Sequence, residues 1–168
     1  MEIVYETDRL LLKLFEAGDV EDLMSFWGNE EVMAHCSGAI EQAILPQVIE
    51  SYNKCHQVKG LSVYAVVEKE TGKVIGAAGY NIRDSLDTIE LLYHFAKASW
   101  GKGYATEAAA ACLTLAKVNG NVKTIFASAD PLNNSSLKIL EKIGFIYQGL
   151  KWFDDTNQEE PYYEIVLN

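Results

Sequence analysis

The spacing of apolar residues changes near residue 60, and with it the kind of element the chain predicts. Residues 10–15 (LLLKLF) are a short apolar run of the sort that forms a mostly buried strand. Beyond Asp19, a good helix N-cap, apolar residues stand at 20, 23, 24 and 27, one face of a helix over 20–27. A short helical turn follows around 30–35. Pro46 sits well in the first turn of another helix running to about Val58, with Val48, Ile49, Tyr52 and Cys55 as its stripe.

Strands then take over. Residues 61–68 and 73–81 read as strands joined by the turn Lys69-Glu70-Thr71-Gly72, and 88–95 as a third after the polar stretch 83–87. Residues 103–118 form a long helix, so rich in alanine that it can approach a sheet closely. A short strand at 124–129 comes next, then a helix over about 135–142, capped by Asn133 or Asn134 and ended by Gly144. Strands at 145–153 and 162–167 close the chain. This order predicts an α/β (α+β) fold: a single domain over residues 1–168 whose mixed, mostly antiparallel sheet is flanked by helices, one of them the crossover at 103–118.

Composition narrows the function classes. The 168 residues suit one sizeable core, and no run of 18 apolar residues spans a bilayer. The start, Met1-Glu2-Ile3-Val4-Tyr5-Glu6, lacks the basic and apolar regions of a signal peptide. Cys36, Cys55 and Cys112 make no CxxC pair, and their odd number argues against a disulfide framework, so a cytoplasmic setting is expected. A formal charge of -10 disfavours nucleic acid and anionic membranes as partners and is compatible with a cationic substrate.

The densest chemistry lies in Trp100-Gly101-Lys102-Gly103-Tyr104-Ala105-Thr106-Glu107. Two glycines spaced by one residue, where a helix begins, permit a tight turn beside helical N–H groups that lack internal partners. Such a turn suits a phosphate or pyrophosphate, with Lys97 and Lys102 offsetting the acidic net charge within roughly 8–10 Å. A plain glycine turn is the competing reading. No GxxxxGK[ST] string exists, and a dinucleotide fold would carry an acidic residue about 20 positions on, where Lys123 stands.

The run from Trp100 to Ala108 resembles the acyl-CoA pyrophosphate loop of the GNAT superfamily of N-acetyltransferases, in its ribosomal-protein N-terminal acetyltransferase (Rim-type) branch. Four other places share the resemblance, in the family's order: Thr7-Asp8-Arg9-Leu10-Leu11-Leu12, Asn29-Glu30-Glu31-Val32-Met33, Glu90-Leu91-Leu92-Tyr93, and Asp130-Pro131-Leu132-Asn133-Asn134-Ser135-Ser136 leading to Leu140-Glu141-Lys142-Ile143-Gly144-Phe145. Departures stand out. Trp100 replaces the frequent Arg or Gln, Ala105 a frequent third glycine, and Leu140 the tyrosine that many members use as an acid.

The resemblance implies acetyl-CoA as cosubstrate, with no metal. Its pyrophosphate would lie on the backbone of Trp100, Gly101, Lys102, Gly103, Tyr104, Ala105 and Thr106, and its pantetheine between strands 88–95 and 124–129. Main-chain contacts are expected there from Leu92 and Tyr93, with an oxyanion donor on a bulged strand near Leu92. Asn133 would contact the pantetheine, and Ser136 would bind near the thioester sulfur or assist its departure. The acceptor would be a small-molecule amine or a peptide N-terminus, and a homodimer is compatible with the family. Strand 88–95 alternates, with Ile89, Leu91, Tyr93 and Phe95 on one face and Thr88, Glu90, Leu92 and His94 on the other. A primary amine is mostly protonated at neutral pH, so a carboxylate is needed to take its proton, and Glu90 is the candidate. Its alternative is an exposed strand glutamate in a solvated ion pair.

Other candidates are weaker. His35-Cys36 and Cys55-His56 carry ligand types, but helical neighbours diverge by about 100° and hold zinc poorly. Cys112 reads as a buried small hydrophobe. His94 either lines the site or stands exposed, and Trp27, Tyr80, Trp152, Tyr162 and Tyr163 are candidates for the acceptor rim or the core. A noncatalytic acyl-CoA-binding domain remains the alternative function, with Leu140 its support and Glu90 its obstacle.

Overall fold

The computed structural model describes residues 1–34, Cys36, 38–129 and 132–167. Among these, eight strands join into one sheet: β1 (Ile3–Glu6), β2 (Leu10–Lys13), β3 (Val63–Glu68), β4 (Val74–Asn81), β5 (Thr88–Phe95), β6 (Thr124–Ser128), β7 (Ile146–Phe153) and β8 (Gln158–Val166), in the order β1-β2-β3-β4-β5-β6-β8-β7. Every pair is antiparallel except β5 and β6, which are parallel. A parallel pair requires a crossover, and the alanine-rich helix α3 (Tyr104–Asn119) supplies it. The helices α1 (Val20–Leu23), α2 (Leu45–Lys59) and α4 (Asn134–Lys142) complete the layers.

Each face of the sheet has its own core. On one, Leu10, Tyr64, Tyr80, Ile89, Leu91 and Phe95 pack with Tyr104, Ala108, Cys112 and Ala116 of α3 and Leu140 of α4. On the other, Val63, Ala65, Val67 and Ala77 pack with Leu23, Phe26, Trp27, Leu45 and Ile49 from the first third of the chain. β4 contributes to both cores out of simple alternation. The β3 partner shifts from Gly76 for Val66 to Val74 for Val67, and this extra residue in β4 reverses which face its later side chains meet.

The sheet is as expected, and several local expectations are corrected. β1 went unpredicted because an edge strand of four residues with two half-buried side chains carries little pattern. The α1 helix is one turn, not the eight-residue helix read from 20–27, and Asp19 does not cap it. The Asp19 carboxylate instead accepts from Lys13 Nζ at 2.5 Å and from the Glu16 N–H at 2.8 Å. Lys13 is only 2% exposed, and a buried ammonium is tolerable only with such partners. The segment around 30–35 forms turns where it is described. β8 begins at Gln158, four residues before the predicted start, because it continues as a hairpin partner of β7 beyond its pairing with β6.

Candidate active site

Gly101 and Gly103 adopt φ of +77° and +81°, the left-handed region in which a Cβ is penalised, and they flank Lys102 just before α3. With the chain turned this way, the N–H groups of residues 101–106 find no acceptor among the described residues. The first turn of a 16-residue helix therefore presents bare donors and the positive end of its dipole. Glu107 would oppose an anion there, but it is held off. Arg9 Nε donates to its Oε1 at 2.8 Å, and the Arg9 N–H and the Thr7 hydroxyl donate to its Oε2. Burial alone would raise the Glu107 carboxyl, yet the Thr7 and Arg9 hydrogen bonds hold it below its usual value. Arg9 also donates to the Lys102 carbonyl at 2.8 Å and lies over the Tyr104 ring.

Both nearby cations are paired, Lys97 with Glu31 on the surface and Arg9 with Glu107, and Arg9 is the one bonded to the loop itself, through the Lys102 carbonyl. Trp100 donates its indole N–H to the Phe95 carbonyl at 2.9 Å, covering the end of β5.

β5 and β6 pair for three rungs, Thr88↔Thr124, Ile89↔Ile125 and Glu90↔Phe126, and then part. Beyond Glu90, β5 pairs with β4 alone and β6 with β8 alone. Backbone parity shows which groups face the gap. The Ala96 N–H donates to Ile75 on β4, while the Phe95 carbonyl accepts from Trp100 instead, so even positions of β5 face β4 and odd positions face away from it. The main-chain groups of Leu91 and Tyr93 thus face the gap. Across it, the Leu167 N–H bonds to the Lys123 carbonyl, so odd positions of β6 face β8 and the main chain of Ser128 faces back.

Two expectations change with this parity. The β4–β5 register runs without a shift from Gly76↔Phe95 to Asn81↔Glu90, so no bulge exists near Leu92. The Leu92 N–H faces β4, and unpaired donors in the gap come from Leu91 and Tyr93. Strand parting, and not a bulge, exposes these main-chain groups.

Glu90 stands on the last shared rung, on the face away from α3. It is half-buried and accepts from Asn81 Nδ2 at 3.4 Å. Burial raises its carboxyl above the ordinary carboxylate range against the pull of Asn81 and Arg83, and Asp155 and Glu160 raise it further. It is thus a stronger base than a solvated glutamate and no exposed ion-pair partner. Phe126 is its rung partner, with Tyr162 stacked on Phe126 at a ring separation of 5.7 Å. Tyr52 of α2 is near enough for Glu90 to raise its hydroxyl, after burial as the main cause.

Asn133 caps α4, its Oδ1 accepting from the Ser136 N–H at 3.2 Å. Ser136 is half-buried in the first turn of that helix. Leu140 is 1% exposed in the core, so this helix offers no acid at that position.

The model of the acetyltransferase (GNAT) domain matches residues 9–146, most of the chain. The chain belongs to the GNAT acetyltransferase family. An uncharacterised N-acetyltransferase, p20 of Bacillus licheniformis, is 30% identical over 159 residues, covering 89% of this chain and 85% of its own. A GNAT-family acetyltransferase from Bacillus anthracis superposes with a TM-score of 0.82 at 27% identity, over 99% of this chain and 98% of that one. RimL, a ribosomal L7/L12 alpha-N-protein acetyltransferase solved with coenzyme A, gives a TM-score of 0.84 at 14% identity, covering 99% and 98%, and so shares the fold.

Other residues of this GNAT chain sort by face. Trp27 lies in the second core and donates its indole N–H to His94 Nδ1 at 3.1 Å. His94 is thereby held neutral, its ionisation pushed down to about 4 by burial, with Nε2 3.4 Å from Cys36 Sγ. Tyr80 is buried on the α3 face, donating to the Cys112 carbonyl, and Tyr163 donates to Glu141 of α4, so neither borders Glu90. Trp152 is exposed on β7, bonded to Asp154. Of the five aromatics, Tyr162 shares the Glu90 face and Trp27 reaches it through His94. Burial pushes the Cys112 thiol up to about 12, which makes it inert. The Cys55 thiol points to the Leu61 carbonyl and His56 Nδ1 to the Tyr64 hydroxyl, so that pair diverges. His35, Asp130 and Pro131 lie outside the described residues. The roles of Asn81 and Arg9 have no local signal in the sequence, because both depend on partners on other elements, although Arg9 lies in the Thr7–Leu12 motif.

Proposed function

We propose that this N-acetyltransferase moves an acetyl group from acetyl-CoA to a primary amine, a peptide N-terminus or a small amine, by direct attack. The observation that carries the reading is the parting of β5 from β6 immediately after Glu90, together with the bare N–H groups that open α3. The residues suit the donor. The N–H groups of residues 101–106, which no described residue satisfies, would hold its pyrophosphate, with Arg9 and Lys102 beside them. Main-chain groups of Leu91, Tyr93 and Ser128 would bond the amides of its pantetheine arm as a strand would. Acetyl-CoA supplies an activated thioester; everything else is done by the protein.

Glu90, raised by burial, takes a proton from the ammonium, directly or through one water, and frees the nitrogen lone pair. A gap-facing N–H of Leu91 or Tyr93 stabilises the oxyanion. Ser136, fixed by Asn133, meets the sulfur as the carbon–sulfur bond breaks. Asp155 and Glu160 near Glu90 favour approach of a cationic acceptor, in keeping with the net charge of -10. A cytoplasmic setting follows from the donor, and RimL's acceptor, a protein α-amine, is the first class to test.

The test measures thiol release from acetyl-CoA with a peptide bearing a free N-terminus, its N-acetylated twin, and a panel of small amines. Release is expected only with free amines, together with CoA binding by calorimetry. Binding without release from any amine would favour the noncatalytic acyl-CoA-binding alternative, and absence of CoA binding would overturn the reading altogether.

A further inference from the structure

Tyr93 has a side chain that its strand does not need. It lies on the β5 face shared with Ile89, Leu91 and Phe95, where a phenylalanine would fill the same space. Its hydroxyl instead reaches across the opening beyond the last shared rung to the first turn of α4. There it lies 2.9 Å from Ser136 Oγ and 3.1 Å from the Ser136 carbonyl oxygen. A half-buried phenol favours a partner, and this one meets the residue that the proposed mechanism places at the sulfur.

We propose that Tyr93 is a positioning residue that turns the Ser136 hydroxyl toward the departing thiolate, in place of the helix tyrosine that Leu140 displaces. The inference rests on the proposed role of Ser136. Asn133 fixes the serine's backbone through its N–H, and Tyr93 fixes its hydroxyl. A phenol has one proton. The Ser136 carbonyl oxygen can only accept that proton, whereas Oγ can accept or donate; in the arrangement with Tyr93 donating to the nearer Oγ, the serine's own proton points into the gap. Burial pushes the Tyr93 hydroxyl up to about 12, so across the working range it keeps its proton and acts by donating a hydrogen bond.

The balance of the step is simple. The carbon–sulfur bond breaks and its electron pair stays on sulfur, where it accepts a hydrogen bond from Ser136. The nitrogen–carbon bond forms as the carbon–sulfur bond breaks. Of the two protons the ammonium loses, the first goes to Glu90 before attack and the second passes from the tetrahedral adduct through water to the thiolate after it leaves. A donor pair aimed at sulfur stabilises thiolate over thiol, and this is measurable without any acceptor.

The experiment titrates the thiol of CoA bound to the intact protein, following the ultraviolet absorbance of the thiolate against pH. Wild type is expected to ionise the bound thiol below the free value of about 8.5. Tyr93→Phe should lose that gain, lowering the acid constant roughly five- to twentyfold, with CoA affinity and melting temperature kept. Ser136→Ala should give the same loss, and the double variant no more than either alone. Turnover of acetyl-CoA should fall in parallel, and the fall should shrink with a thioester of a more acidic thiol. Wild-type titration in Tyr93→Phe overturns the inference, as does loss of CoA binding or melting temperature, which would make Tyr93 a plain tether. Loss in Tyr93→Phe without loss in Ser136→Ala overturns it too and locates the fault in the role given to Ser136. Failure of wild type to bind CoA would instead strike the function itself.

Discussion

The two ends of the site are built in opposite ways. The proposed donor end is one contiguous segment, residues 101–106, offering main-chain N–H groups that exist because any helix leaves its first turn unsatisfied. The Glu90 end is assembled from Asn81 on β4, Glu90 on β5, Phe126 on β6, Tyr162 on β8 and Tyr52 on α2. A main-chain site tolerates changes of side chain. Trp100 and Ala105, which depart from the commonest family pattern, leave the backbone turn intact, because Gly101 and Gly103 alone require the left-handed conformation. A side-chain site has no such tolerance, since its chemistry depends on burial and on neighbours from several elements.

The sharpest break between the two ends comes from Glu90→Gln. Its kcat/KM is expected to fall about 10²- to 10³-fold, while CoA affinity by calorimetry stays at the wild-type value. The acid limb of the wild-type pH–rate profile should lie above the ordinary carboxylate range, because the base must be ionised and burial raises its carboxyl. That limb should vanish in the variant. Equal rates for the two proteins would remove Glu90 as the base.

Stability tests the Glu90 face without any substrate. His94 ionises near 4 in the folded chain, against 6.5 for an ordinary histidine, so the unfolded chain takes up the proton first. Its contribution is complete above about pH 6.5 and is lost as pH falls toward 4, by roughly 2–3 kcal/mol. Chemical denaturation across this window should show the decline, and His94→Gln should flatten it. A slope unchanged in that variant would assign the acid sensitivity elsewhere.

At the donor end, Gly103→Val places a branched side chain at a φ of +81°, a strain of about 1–2 kcal/mol. CoA affinity should weaken roughly tenfold, with kcat at saturating donor retained, which would separate anchoring from chemistry. The smallest effect is expected for Arg9→Ala. Its ion pair with Glu107 is solvent-exposed on the arginine side, so CoA affinity should weaken only about three- to fivefold. A larger loss would mean that Arg9 meets the donor itself.

Helix and strand periodicity made most elements legible, because each buries one face and repeats it. The glycine pair at 101 and 103, the asparagine cap at 133 and the alternation around Glu90 could be read for the same reason: their physics is local. β1 was not legible, since a four-residue edge strand buries too little to leave a pattern. Asp19 looked like a cap because nothing nearby in sequence announces that Lys13 would be buried and would need it.

By itself, then, the sequence determined the order of elements, the turn that bares the α3 N–H groups, and the residue types able to move a proton. The tertiary structure alone decided where β5 leaves β6, hence that Leu91 and Tyr93 rather than Leu92 face the gap, and that Glu90 stands on the last rung. It alone brought Arg9 to Glu107 and Tyr93 to Ser136, across 98 and 43 positions. Backbone conformation is set within a few residues of where it acts, whereas burial, pairing parity and the meeting of side chains depend on which distant strands share the sheet.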